Sequence, residues 1–197
     1  MGGIYLLGKQ PGTVVSYNRI HDVSSAHYGG YGIYTDEGSS YITIENNIVY
    51  NTKSESFNHH YGVDNVVRNN IFAFGNGCIN VSKSESHNDL CIENNIFITD
   101  GKPIYNGWGC SNGTMYAKNN VIFDVSNDNP TLIKSKWQNF ELNFEKWQSL
   151  FHQDEGSVVG DPLIADLKEF DFTISESSPA LKLGFVPFDG FVLTGKK

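Results

Sequence analysis

The sequence predicts an all-β chain: a right-handed parallel β-helix, or solenoid, of about five coils over residues 1–125, closed by a C-terminal cap over residues 126–197 that contains one short helix. Three observations lead there. First, an Asn motif recurs: Tyr17-Asn18-Arg19-Ile20, Glu45-Asn46-Asn47-Ile48, Arg68-Asn69-Asn70-Ile71, Glu93-Asn94-Asn95-Ile96 and Lys118-Asn119-Asn120-Val121. Its Asn stands at 18, 46, 69, 94 and 119, at intervals of 28, 23, 25 and 25 residues, with a β-branched residue two places later each time. Second, an out-of-phase series keeps a similar period: Ile4-Tyr5, Ile33-Tyr34, Phe57-Asn58, Ile79-Asn80 and Ile104-Tyr105, at intervals of 29, 24, 22 and 25. Third, no helical periodicity appears before residue 140; the segments are short, β-branched or aromatic, and punctuated by Gly, Asn and Ser.

A period near 25 residues marks a solenoid, and the alternatives fit less well. Leucine-rich repeats need Leu at fixed offsets, and propeller blades need about 40 residues. Stacked at roughly 4.8 Å per coil, five coils make a rod about 24 Å long. The Asn column is architectural in this reading. A sharp turn between strands calls for a left-handed residue, which Asn tolerates, and equivalent amides in successive coils can form a hydrogen-bonded ladder. The β-branched residues two places on are expected to stack inward, Ile on Ile. Past Val125 the repeat stops. Phe144, Trp147 and Phe151 then take helical spacing behind a capping Asn143, and the aromatics beyond supply a cover for the last coil.

Composition narrows the functional classes. With 22 acidic against 14 basic residues the net charge is −8, and no Lys/Arg cluster offers a surface for nucleic acid or for anionic membranes. No apolar run approaches the roughly 20 residues of a membrane span. Cys78, Cys91 and Cys110, an odd count at spacings of 13 and 19, read as free thiols and not as a disulfide framework or a zinc site. Neither metal nor cofactor is expected. Met1-Gly2-Gly3 leads straight into Ile4-Tyr5-Leu6-Leu7, which reads as the middle of a strand with no signal peptide before it. An open first coil with unpaired edges invites self-association at that end.

If the landmark residues of the second series point inward, alternation places the next residue, and the one two further on, on the outer face. The first of these columns holds Tyr5, Tyr34, Asn58, Asn80 and Tyr105; the second holds Leu7, Asp36, His60, Ser82 and Gly107. Asp36 and His60 then occupy adjacent coils with Cβ atoms on the order of 5 Å apart. Glu37 is adjacent to Asp36, and Gly38 ends the strand, so that both carboxylates reach the groove. His59 and His60 alternate, so that one of them faces outward. Asp36, Glu37 and His60 are the candidate catalytic residues, since a carboxylate beside a His suits proton transfer. Tyr5, Tyr34, Asn58, His59, Tyr61, Tyr105 and Trp108 are the candidate substrate-binding residues, since flat rings suit the apolar face of a sugar. Asp22 reads as a turn residue, and the Tyr-rich His27–Gly32 stretch as a groove wall.

Gly32-Ile33-Tyr34-Thr35-Asp36-Glu37-Gly38-Ser39, Phe57-Asn58-His59-His60-Tyr61-Gly62 and Val67-Arg68-Asn69-Asn70-Ile71-Phe72-Ala73-Phe74-Gly75 resemble the last part of bacterial β-helix carbohydrate-active proteins. The likeness is nearest to the β-helix glycoside hydrolases with fucosidase and xylanase members, which act on plant cell-wall glycans. Val159-Gly160-Asp161-Pro162-Leu163 and Ser178-Pro179-Ala180-Leu181-Lys182-Leu183-Gly184-Phe185 are similar to their C-terminal cap. The resemblance implies the C-terminal part of a longer, secreted or periplasmic glycoside hydrolase using a pair of acidic residues on an oligo- or polysaccharide. A polysaccharide lyase and a non-catalytic glycan-binding or structural solenoid are the alternatives. The lyase ranks lower because Lys83 is the only basic residue near the groove columns.

Overall fold

The computed structural model describes residues 1–135 and 139–188. Five coils of three strands follow one another. Coil one is Gly2–Leu6 (β1), Val14–Ser16 (β2) and Arg19–His21 (β3); coil two is Tyr31–Thr35 (β4), Thr43–Glu45 (β5) and Ile48–Tyr50 (β6). Coil three is Phe57–His59 (β7), Asn65–Arg68 (β8) and Ile71–Ala73 (β9); coil four is Ile79–Val81 (β10), Leu90–Glu93 (β11) and Ile96–Thr99 (β12); coil five is Tyr105–Asn106 (β13), Met115–Lys118 (β14) and Val121–Asp124 (β15). Thr131–Ser135 (β16), Phe140–Asn143 (β17), the helix Phe144–Phe151 (α1), Val158–Val159 (β18), Ile164–Asp166 (β19), Asp171–Ile174 (β20) and the single turn Pro179–Lys182 (α2) complete the chain. The C-terminal part thus carries the expected short helix, α1, and, later in sequence, the single turn α2.

Equivalent strands stack into three sheets: β1-β4-β7-β10-β13-β16-β17, β2-β5-β8-β11-β14 and β3-β6-β9-β12-β15-β18. Pairing between coils is parallel throughout; the antiparallel pairs are β16 with β17 and β19 with β20. One apolar column from each sheet fills the interior. The first is Ile4, Ile33, Phe57, Ile79, Tyr105 and Ile133. The second is Val15, Ile44, Val67, Ile92 and Ala117. The third is Ile20, Val49, Phe72, Phe97 and Ile122. From the second coil onward these side chains are fully buried.

The register corrects the sequence reading at two coils. In coil five the inward residue is Tyr105, not Ile104, so Asn106 takes the outward place. In coil one the left-handed turn residue is Tyr17 (φ 57°), aligned with Asn46, Asn69, Asn94 and Asn119 (φ 56°, 54°, 55° and 52°). Asn18 instead aligns with the second Asn of each pair. Those second residues form the amide ladder: Asn18 Nδ2 donates to Asn47 Oδ1 (2.9 Å), Asn47 to Asn70 (3.0 Å), Asn70 to Asn95 (3.0 Å) and Asn95 to Asn120 (3.1 Å). Each Oδ1 also accepts the preceding coil's Asn backbone N–H.

A third correction concerns the β-branched column that follows. Ile48, Ile71, Ile96 and Val121 do not enter the interior; they form a second apolar cluster with Phe172, Ala180 and Phe185 of the C-terminal segment. That segment runs back over the third sheet. Arg19 Nη2 donates to the Phe170 carbonyl (2.7 Å), and Asn69 exchanges two 2.7 Å hydrogen bonds with the backbone of Val186. At β6, β9 and β12 the third sheet is therefore buried on both faces, as parallel sheets usually are, and either face suits an apolar column.

The last coil is closed by β16, β17, α1 and β18. Asn143 caps α1 by accepting from the Lys146 N–H, and Trp147 on that helix is fully buried. Asp154 ties cap to coil. Its carboxylate accepts from Tyr105 Oη (2.8 Å), Trp147 Nε1 (2.9 Å), Ser157 Oγ (2.8 Å) and Asn120 Nδ2 (3.1 Å), so the amide ladder ends on it.

Candidate functional site

The outer face of the first sheet carries the candidate site. Its outward column reads Tyr5, Tyr34, Asn58, Asn80 and Asn106. Asp36 and His60 follow directly on β4 and β7, where in-register stacking brings two residues 24 positions apart into contact. His60 Nδ1 lies 2.8 Å from Asp36 Oδ1, and the Tyr5 hydroxyl donates to the other oxygen, Oδ2. Three successive coils thus converge on one carboxylate. Burial alone pushes the Asp36 carboxyl up, but the Tyr5 hydroxyl, the His60 ring and the Glu37 amide outweigh it and hold the group below its ordinary value. The same contact works in reverse on Tyr5, whose phenol is pushed up to about 12, mainly by its hydrogen bond to Asp36. Asp36 is therefore an ionised carboxylate with both oxygens engaged, and within the described residues no hydrogen bond uses His60 Nε2.

Aromatic rings wall this centre. Tyr5 meets Tyr34 edge-on at 5.5 Å, Tyr34 meets Tyr31 at 5.3 Å, and Tyr31 meets Tyr28 at 5.9 Å. The Tyr28 and Tyr34 hydroxyls lie 3.2 Å apart. Tyr28 and Tyr31 come from the predicted wall stretch. Burial, with the Tyr28 hydrogen bond added, raises the phenols of Tyr31 and Tyr34 well above the ordinary range. On the other side Tyr61 packs edge-on against His60 (5.2 Å), and Lys83 Nζ sits 4.2 Å over the Tyr61 ring.

The remaining sequence-named residues divide. Glu37 is exposed in the turn after β4; its charge contributes to the rise at Tyr5, and its carbonyl accepts from the Gly8 N–H (3.2 Å). Trp108 is 39% exposed at the start of a short 3-10 turn, Trp108–Ser111, in coil five. Asn58 stands in the outward column yet is fully covered; Asn80 Nδ2 donates to its Oδ1, and its own Nδ2 has no partner among the described residues. His59 faces the interior. Its Nδ1 lies 2.9 Å from Thr35 Oγ1, and burial pushes its ring down to about 3, so it stands as a neutral core histidine away from the groove. Tyr105 is a correction: it is fully buried and bonded to Asp154, because coil five enters its strand one residue later than the spacing suggested. Asp22 is a left-handed turn residue (φ 53°) held by His21 and Asn51. Sequence reasoning missed Glu55, which is nearly buried and accepts from Asn106 Nδ2 (2.8 Å) two coils away. Its one signal in the sequence was its place two residues before the inward Phe57.

Residues 1–141 match the family described as right handed beta helix region. The chain belongs to that family. Comparison with curated proteins and with solved structures gave no match. In this right-handed β-helix, five stacked coils act as a ruler that delivers residues from successive turns to one line. Among the described residues no group of three or more His, Cys, Asp or Glu side chains is arranged to hold a metal ion. The site's chemical resource is an imidazole whose Nδ1 is fixed by an ionised carboxylate. Such pairing sets the tautomer and leaves Nε2 to take or give a proton.

Proposed function

We propose that this β-helix is carbohydrate-active, and that it is the C-terminal part of a glycoside hydrolase acting on plant cell-wall polysaccharide. One observation carries the reading: the Asp36–His60 pair, 2.8 Å apart and braced by Tyr5, lies on an outer face walled by tyrosines. Rings offer apolar faces to a sugar, here the exposed Tyr5 and Tyr28, since Tyr31 and the expected binding residue Tyr34 are buried, and an oriented imidazole offers proton transfer. In this proposal His60 exchanges the proton, Asp36 stays ionised and orients it, and Glu37, exposed in the turn after β4, is the carboxyl that partners His60. The two-carboxyl form of this chemistry sets its groups about 5–5.5 Å or about 6.5–9.5 Å apart; in this proposal the His60 ring held by Asp36 stands in for one of them.

A second reading, a non-catalytic glycan-binding solenoid, is favoured by one fact. Both Asp36 oxygens are occupied, so that carboxylate is not free to act on a substrate directly. A lyase fits less well. It needs a cation to neutralise a uronate carboxylate, and Lys83 rests over Tyr61 while Lys53 is held by Ser25 and the His27 carbonyl.

Incubation with a panel of plant polysaccharides, scored by release of reducing ends, tests the proposal. Asp36→Asn is expected to lower release at least about a hundredfold, the usual worth of acid–base assistance. Equal release by the variant overturns the catalytic reading. Binding by the wild type without release selects the second one. Calcium-dependent cleavage of pectin with ultraviolet-absorbing products selects the lyase.

A further inference from the structure

The outer face of the second sheet carries a separate cavity of about 430 Å³, within the size range of small-ligand sites. Its floor is one register column, Val66, Cys91 and Tyr116, from three successive coils. Alternation puts these side chains outward, because their neighbours Val67, Ile92 and Ala117 fill the core. Its rim includes Asp64 and Asn88, which are exposed, and Thr114. Tyr116 is 43% exposed.

The lining sets the chemistry of an occupant. It contains no Lys, Arg or His among the described residues, and it does contain the Asp64 carboxylate. A second carboxylate, Asp89, sits behind Thr114, whose Oγ1 donates to it (3.0 Å). His87 Nε2, 3.1 Å from Asp89, is held by the Gly62 carbonyl, and Lys118 near the Tyr116 ring is paired with Glu93 (3.1 Å). An anionic ligand therefore meets the Asp64 carboxylate with no free cation among the described lining residues to offset it. One exposed ring beside an acceptor carboxylate, an amide and a hydroxyl suits a small polyol with one apolar face.

We infer that this cavity is a second site on the β-helix, one that binds a neutral mono- or disaccharide against Tyr116, independently of the Asp36–His60 face. Cys91 in its floor provides the test. Cys78 and Cys110 are buried, so a thiol reagent applied to the native chain reads Cys91. Cellobiose or xylobiose is expected to slow that modification severalfold, and digalacturonate to leave it unchanged. Protection is expected to persist in Asp36→Asn and to disappear in Asp64→Asn, a change that the left-handed turn at position 64 (φ 51°) accommodates. No protection by either neutral sugar overturns the inference. Equal protection by digalacturonate overturns the ligand class, and loss of protection in Asp36→Asn assigns the sugar to the groove instead. If the native thiol resists the reagent, saturation-transfer NMR with the same sugars on wild type and Tyr116→Ala reads the same site; equal transfer in both contradicts it.

Discussion

Asp36 gathers three coils because each of its neighbours solves a different problem for it. Tyr5 and His60 donate to separate oxygens, and the Glu37 amide adds a third contact. Its carboxyl is held low, so its contribution to stability is present above the ordinary carboxylate value and is lost as pH falls through the lowered folded value. Tyr5→Phe keeps the ring against Tyr34 and deletes only the hydroxyl donor. The Asp36 titration, followed by carboxyl NMR, is expected to move to higher pH in that variant. An unmoved titration contradicts the role given to Tyr5. The pairing of Asp36 with His60 was legible in the sequence because both follow inward landmarks at the same offset. The contribution of Tyr5 through its hydroxyl was not, since spacing places a ring on a face and does not aim its oxygen.

Among the structural elements, the amide ladder holds the coils in register. Asn70 is fully buried; its Oδ1 accepts both the backbone and side-chain N–H of Asn47, while its Nδ2 serves the Ile44 carbonyl and Asn95. Asn70→Ala takes the acceptor from the buried Asn47 N–H, while the Asn47 amide keeps the Val15 and Glu45 carbonyls, and it removes the donor that serves Ile44, Arg68 and Asn95; each unmade buried bond costs about 1–3 kcal/mol. Urea unfolding is expected to show a loss of about 3 kcal/mol. A loss under about 1 kcal/mol contradicts a structural ladder. The period and the Asn motif were readable, but three offsets were not. Tyr17 takes the left-handed turn in coil one, where no Asn marks it. Tyr105 replaces an aliphatic residue inside because Asp154 and Trp147 of the cap give its hydroxyl and ring partners. The Ile48–Ile71–Ile96 column looked like core because it is buried, and only the returning C-terminal segment shows by what.

At the scale of the whole chain, the described residues are asymmetric along the coil axis. One end is closed by β16, β17, α1 and β18; at the other, β1, β2 and β3 each have one unpaired edge among the described residues. There Ile4, Leu6 and Ile20 are partly exposed, while their partners Ile33, Thr35 and Val49 are fully buried. Unpaired edges over an uncovered core favour association. Sedimentation of the 197-residue chain is expected to show concentration-dependent self-association that Leu6→Lys suppresses. A monomer at every concentration contradicts it.

The central claim, that stacking makes Asp36 and His60 a single proton-transfer unit, is tested most directly by a double-mutant cycle of Asp36→Asn and His60→Ala on whichever polysaccharide the wild type cleaves. Residues acting as a unit are strongly non-additive, so the double variant is predicted to be no slower than the worse single one. Independent, additive losses, or full activity in either single variant, would contradict the account.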